Sequence, residues 1–367
     1  MPAKPIRILV VASADSPLLC ERVLIPIKAG HDVVWFSESA RPPDRLCKTI
    51  HAPKFNRLDL VGRLITIGLF WITYFKMRPD IVHVHWANFP ALLFKARWRN
   101  LIVSPMGSDI FLPGRWDLRK RISRGVLQRA KCATSKSPYM DRKLEALGVP
   151  GEMIERITWG IASEFFRLRE RRTAARRTLG IETERCVFFS PRAHKPIHRI
   201  DRIIEAFVAF IREGGEGHLL VAEMYGNSAT RAHLLSLIPE AGIRKRVAFL
   251  GTLEAHQMRL CYAAADVVVS FAATDGMPQT LYEAMAAGCF PVFSDLPQYD
   301  CLLVHGENCF LCHDTGERSI ETGLAYAERT VAAQWDPEPN RQLVERIASR
   351  AREGERMNAI YRRVACN

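Results

Sequence analysis

The sequence predicts an α/β protein made of two doubly wound, parallel-sheet domains. Three observations lead there. The chain opens as strand, helix, strand: an apolar run Ile6–Ala12, a turn over Ser13–Pro17, a helix over 18–30 closed by Gly30, and a second strand His31–Ser37. A second series of the same kind begins at Cys186–Ser190. At 367 residues the chain is longer than one hydrophobic core usually serves. Hydrophobic residues make up 48% and charged residues 25%, the balance of a globular protein. The net charge of +13, from 52 basic and 39 acidic residues, admits nucleic acid, an anionic membrane surface or an acidic small molecule as partner. The chain carries no zinc-finger, RNP or helix-turn-helix pattern, so nucleic acid is not an expected partner. It also lacks Gly-x-Gly-x-x-Gly, which argues against a nicotinamide cofactor.

In the first half, 58–77 is the most apolar segment. Leu64–Phe75 holds twelve consecutive uncharged residues between Arg63 and Lys76. That is too short to span a bilayer. It suits a helix packed on the sheet, or one lying in a membrane surface. Asp80–Asn88 is a strand running into a loop, with His83 and His85 on one face. His85 stands nearer the strand's C-terminal end, where ligands of open α/β sheets gather, so it is either a site residue or a core histidine. Ile102–Asp109 is a further strand and turn ending in Gly107-Ser108-Asp109. The basic stretch 115–129 reads as a solvated helix face, or as a face for an acidic acceptor or a membrane. Residues 138–147 read as a helix, and the charged stretch 163–185 as the linker.

In the second half, Cys186–Ser190 is a strand, Pro191–Pro196 a basic loop and 200–207 a helix. Arg192 offers a planar fork to phosphate and Lys195 a point charge. Strands follow at 219–225 and 247–251, and a helix at 254–264. The centre of the chain is 267–293. Val267–Phe271 is a β-branched run typical of a strand buried on both faces. Thr274, Asp275 and Gly276 break it, Pro278 suits the first turn of a helix, and Gly288 suits its end. Asp275 and, eight residues later, Glu283 flank the helix start, where free N–H groups favour an anion. The pattern suits a sugar nucleotide, with diphosphate on the amides and hydroxyl groups on the carboxylates. It equally fits an ordinary βαβ unit in which Asp275 caps the helix and Glu283 faces solvent. The ten Cys are scattered. Cys309-x-x-Cys312-His313 lacks a second ligand pair, so a turn and strand are expected there and no metal. The N-terminus is not of secretory type, which points to a reducing, cytoplasmic setting. A last amphipathic, basic helix is expected over roughly 338–363.

The run from Asp275 through Glu283-Ala-Met-Ala-Ala-Gly288 to Pro291-Val292 closely resembles the signature of glycosyltransferase family 4, retaining enzymes of the GT-B fold. The resemblance implies two Rossmann-like domains facing a cleft. Residues 1–165 would bind the acceptor, 166–345 the nucleotide sugar, and 346–367 would form a helix crossing back to the first domain. It implies transfer of a sugar from a nucleoside diphosphate sugar to a hydroxyl acceptor, lipid-linked acceptors included, in polysaccharide, glycolipid or other glycoconjugate synthesis. Other implied possibilities are a sugar-nucleotide-binding protein without transferase activity and a GT-B epimerase. By the same resemblance Asp275, a shorter acid than the family's Glu, contacts the donor sugar and Glu283 the ribose. Arg192 and Lys195 hold the diphosphate, with His198 close to the family's usual Lys position. Amides around Gly276, Met277, Pro278, Gln279, Thr280 and Leu281 assist, and Gly251 lies near the base. Neither a metal nor a further cofactor is expected. Met106 stands where many members have a His, so Asp109 or His85 is expected to supply the polar contact there. Ser13-Ala14-Asp15-Ser16 replaces a common Gly-Gly pair, and Ala162 an Asp. The implied location is the cytoplasm, with peripheral contact at the inner membrane face.

Overall fold

A computed structural model describes residues 4–38, 47–52, 60–96, 98–107, 109–111, 118–181 and 185–366. Two compact units emerge, residues 1–160 with 351–367, and residues 161–350. Each is built on its own parallel sheet.

The first sheet has strands β1 (Arg7–Val11), β2 (Asp32–Ser37), β3 (Lys48–His51), β4 (Ile81–His85), β5 (Leu101–Ser104), β6 (Cys132–Ser135) and β7 (Ile154–Arg156). Their order is β3-β2-β1-β4-β5-β6-β7, all parallel. The order reverses between β1 and β4, and that switch point is where open sheets of this kind bind ligands. Helices α1 (Pro17–Lys28), α2 (Leu60–Met77), α3 (Leu118–Leu127) and α4 (Pro138–Ala146) accompany it. Helix α2 packs by one face only. Thr66, Phe70 and Thr73 are buried, at helical spacing, while Leu64, Ile72 and Phe75 on the other side are 58%, 64% and 67% exposed. Both sequence readings of this segment therefore have a physical basis: a packed face, and an apolar face left in solvent.

The second sheet has strands β8 (Cys186–Ser190), β9 (Gly217–Val221), β10 (Val247–Phe249), β11 (Val267–Ser270), β12 (Phe290–Ser294) and β13 (Phe310–Cys312). Their order is β10-β9-β8-β11-β12-β13, again all parallel, with the switch between β8 and β11. Val267, Val268 and Val269 are at most 1% exposed, as their β-branched run predicts. The helices are α5 (Arg172–Thr178), α6 (Ile200–Arg212), α7 (Ser228–Ser236), α8 (Ala241–Arg244), α9 (Ala255–Ala264), α10 (Gln279–Ala287), α11 (Ile320–Ala332) and α12 (Glu338–Ala348). On α6, Ile200, Ile203, Ile204, Phe207 and Phe210 form the buried stripe. Each such side chain contributes about 1.5–3 kcal/mol relative to exposure.

Three sequence expectations need correction. The charged stretch expected as a linker is folded against helices of the second unit: a 3-10 segment Ser163–Arg171 packs on α9 and α10 and buries Phe165 and Leu168, and α5 follows it, also on α9. Three of its arginines are paired inside the unit. Asp266, whose side chain is fully buried, accepts hydrogen bonds from Arg172 Nε (2.9 Å), Arg169 Nη1 (3.4 Å), Arg176 Nη2 and the Val187 amide (3.0 Å). Helix α11 was not expected; it buries Ile320, Leu324 and Ala327 against the sheet. The single last helix is two, α12 and α13 (Arg350–Cys366). They break at Ser349, whose extended backbone lets Ile161 bond on both sides: its amide donates to Ala348 O at 2.6 Å, and its carbonyl accepts from the Arg350 amide at 3.1 Å. Beyond the break α13 packs on the first sheet. Glu353, 1% exposed, accepts from the Thr158 amide at 2.6 Å, and Met357, Ile360, Tyr361 and Val364 join the core around β1.

Candidate active site

In the second unit, the loops leaving β8 and β11 flank the switch point, and each contributes a predicted residue. Arg192 comes from the first loop and Asp275 from the second. Arg192 Nη2 donates to Asp275 Oδ2 at 2.5 Å, and both side chains are only about a tenth exposed (10% and 13%). The Ala273 amide donates to Ile197 O at 2.8 Å, tying the loops together. Arg192 Nη1 reaches Thr280 Oγ1 in the first turn of α10 at 3.4 Å. Its Nη2 also donates to His198 Nδ1 at 3.0 Å. A guanidinium cannot accept, so His198 is a neutral imidazole with its proton on Nε2. Burial, reinforced by Arg192, pulls His198 down to about 3, which keeps it neutral.

Asp275 does not cap the helix. Pro278 is the N-cap of α10, one position outside the first turn expected for it, and offers no side-chain acceptor. Asp275 instead uses Oδ1 to hold the Gly276 amide at 2.7 Å, and its carbonyl accepts from Gln298 Nε2 at 2.7 Å. Each carboxylate oxygen retains a second lone pair for a substrate hydroxyl. Met277 is fully buried and takes φ 65°, a conformation unusual for a residue with a β-carbon, so its neighbours hold the loop in a defined shape. Gln279, Thr280 and Leu281 form the start of α10, and Gly288 ends it at φ 76°.

Glu283 lies one turn further along α10 and does not simply face solvent: its Oε2 accepts from Tyr262 Oη at 2.8 Å. Burial first, then the adjoining Glu283, pushes the Tyr262 phenol well up, so it stays a donor. Tyr262 is a partner of Glu283 that sequence reasoning missed; only its place on α9 beside α10 reveals it. Gly251, after β10, takes φ 71° and donates to Glu223 Oε2 at 2.8 Å. Lys195 is exposed and separate from the Arg192–Asp275 pair, with its ammonium 4.6 Å from the Tyr225 ring centre. His198, the alternative for the same role, is the one that touches Arg192.

In the first unit, His83 uses both ring nitrogens, bonding Tyr361 Oη at 2.7 Å and Ser104 Oγ at 2.8 Å. It is a structural link between β4 and α13. His85 is buried with its Nδ1 unpartnered. Asp109 is buried and holds three amides: Ala87 at 2.6 Å, Met106 at 2.9 Å and Gly107 at 2.9 Å. It shapes the loop at the end of β5. Burial still raises its carboxyl above the ordinary range. Ser108 lies outside the described residues.

The second-unit arrangement sets a cationic fork and an uncapped helix start beside two carboxylates, at the place where α/β sheets bind phosphate. Residues 171–342 match the family model described as glycosyl transferases group 1, and residues 27–165 match the one described as glycosyltransferase family 4. Sucrose-phosphate synthase from Thermosynechococcus elongatus has a similar structure, with a TM-score of 0.80 at 17% identity over 99% of both chains. Anabaena Alr3699/HepE, solved in complex with UDP and glucose, has a TM-score of 0.77 at 15% identity, over 97% of this chain and 99% of that one. O-antigen biosynthesis protein RfbC of Myxococcus xanthus is 33% identical over 120 residues, 29% of this chain and only 9% of that protein's length. The two family matches leave little of the chain outside them, and the chain belongs to the group 1 glycosyltransferases, with the GT-B fold.

Proposed function

We propose that this glycosyltransferase moves a sugar from a nucleoside diphosphate sugar to a hydroxyl acceptor, with retention at the anomeric carbon, in the synthesis of a surface glycoconjugate. The observation that carries the reading is the buried Arg192–Asp275 pair set against the uncapped start of α10. Asp275 holds the guanidinium in place before substrate arrives, so little reorganisation is needed when charge develops. In the step itself the bond from C1 to the diphosphate oxygen breaks, and its electron pair stays on the diphosphate. Arg192 and the α10 amides stabilise that charge. The acceptor oxygen bonds C1, and its proton passes to the departing diphosphate. His198 is too acidic to take that proton at neutral pH. Glu283, oriented by Tyr262, accepts from the ribose hydroxyls, and Asp275 from a sugar hydroxyl. Arg192 and the α10 amides cover the leaving group, so turnover is expected without added divalent metal. The UDP complex of the HepE neighbour makes UDP the first donor base to try, and the RfbC relative supports a surface-polysaccharide product.

A thermal-shift series with UDP, GDP and ADP, first without metal and then with magnesium, tests the donor. One nucleoside diphosphate is expected to raise the melting temperature, because it binds only the folded state, and Glu283→Ala should remove most of that rise. A folded sample that responds to none of them overturns the reading.

A second reading concerns where the enzyme works. The exposed row Val61, Leu64, Ile72 and Phe75 runs along α2, and Phe94 nearby is 70% exposed; Arg63, Lys76 and Lys95 flank these residues. An apolar helix face with flanking cations fits a peripheral membrane contact. Among the described residues no helix is long and apolar enough to cross a membrane. The protein is expected to co-sediment with anionic vesicles at low salt, and Ile72→Asp with Phe75→Asp to stay in the supernatant. Wild type left in the supernatant would rule the contact out.

A further inference from the structure

Arg22 of α1 is 2% exposed. Its Nη1 lies 3.0 Å from Met106 Sδ, a weak acceptor, and its guanidinium lies 4.5 Å from the Trp159 ring centre. Nε and Nη2 have no hydrogen-bond partner, and among the described residues no carboxylate pairs with it. Burial pulls its pKa down to about 9, so it is still a cation at neutral pH. A buried, unpaired cation is among the most costly arrangements a fold can keep.

Of its surroundings, only the adjoining Glu21 offsets the burial, through its charge. His85 at the end of β4 is 3% exposed with Nδ1 unpartnered, and its ring centre lies 5.3 Å from that of Trp159. Arg22 and Lys136 both add positive potential at His85, which burial in any case holds well below its usual range and therefore neutral. Asp109, the carboxylate held beside Met106, already binds three backbone amides. This cluster sits where the first sheet reverses its strand order, between β1, which leads into α1, and β4. A buried polar group left unsatisfied at such a place calls for a missing partner.

We propose that Arg22 and His85, with Lys136 adding charge, form a subsite for an oxyanion carried by the acceptor, a phosphate or a carboxylate. Calling its carrier the acceptor rests on the transferase reading above; the anion site itself does not. The guanidinium fork supplies two parallel donors, and His85 a third when its proton is on Nδ1. Met106 contributes by what it lacks: it brings no formal charge to compete for Arg22.

Thermal melting of the full chain at constant ionic strength tests the site, with inorganic phosphate, glucuronate and, as a neutral control, glucose. Wild type is expected to gain about 2–4 °C with one or both anions at millimolar concentration and nothing with glucose. A response to phosphate alone assigns a phosphorylated acceptor, and one to glucuronate alone an acidic sugar. Arg22→Met is expected to melt above wild type without anion, to lose the anion response, and to keep the response to UDP. His85→Gln should weaken the anion response. If Arg22→Met does not fold, Arg22→Lys keeps the charge without the fork, and its response should fall. No anion response in wild type, or a full response in Arg22→Met or Arg22→Lys, overturns the site. A lost UDP response with the anion response intact would instead count against the donor reading.

Discussion

Arg192→Ala is expected to lower kcat/KM by about 100- to 1,000-fold with little loss of folded protein, the range for removing one preorganised donor from a developing anion. Arg192 makes its contacts from the loop at the end of β8, outside the strand ladders. The substitution leaves the Asp275 carboxylate with the Gly276 amide as its remaining partner among the bonds described above. Much of the loss should fall in kcat, because the charge on the diphosphate grows as the glycosidic bond breaks. Arg192→Lys should recover only part of it, since an ammonium cannot reach Asp275, Thr280 and His198 together as the planar fork does. Steady-state kinetics with the donor identified by thermal shift measure both variants. Turnover within about threefold of wild type for Arg192→Ala would remove Arg192 from the leaving-group role.

The largest effect on stability is expected at Asp266. Replacing it by Ala leaves the Arg176 guanidinium, 5% exposed, without its carboxylate, and removes the ties to Arg169, Arg172 and the Val187 amide. Breaking a buried pair from one side costs about 3–5 kcal/mol, because the opposite charge stays buried. For a unit of this size that lowers the melting temperature by roughly 10 °C. The Ser163–Arg171 segment and α5 should be released first, becoming open to proteolysis while β8 and β11 still pair. A melting temperature within about 2 °C of wild type would show that these arginines find other partners.

Local chemistry made much of this readable from the chain alone. Val267–Phe271, the break at Thr274–Gly276 and the Gly288 stop specify a strand, loop and helix through β-branching and through a glycine that tolerates φ 76°. The opening strand–helix–strand and the alternation of His83 and His85 were legible for the same reason: side-chain period and turn chemistry act over a few residues. Arg192, Asp275 and Glu283 could be selected by type and spacing.

Their partners could not. Arg192 and Asp275 are 83 positions apart and meet only because β8 and β11 are neighbours across the switch point. Asp266 draws in arginines 90 to 97 positions away, which turned an apparent linker into packed structure. The break at Ser349 depends on a strand-like contact with Ile161. Arg22 reads on the chain as an ordinary polar position of an amphipathic helix, and its isolation exists only in the folded core. Periodicity and turn residues act through neighbours in sequence, so they set the elements. Charge pairing and desolvation act through neighbours in space, so which polar groups are matched, and which are left for a ligand, was settled only when the sheets assembled.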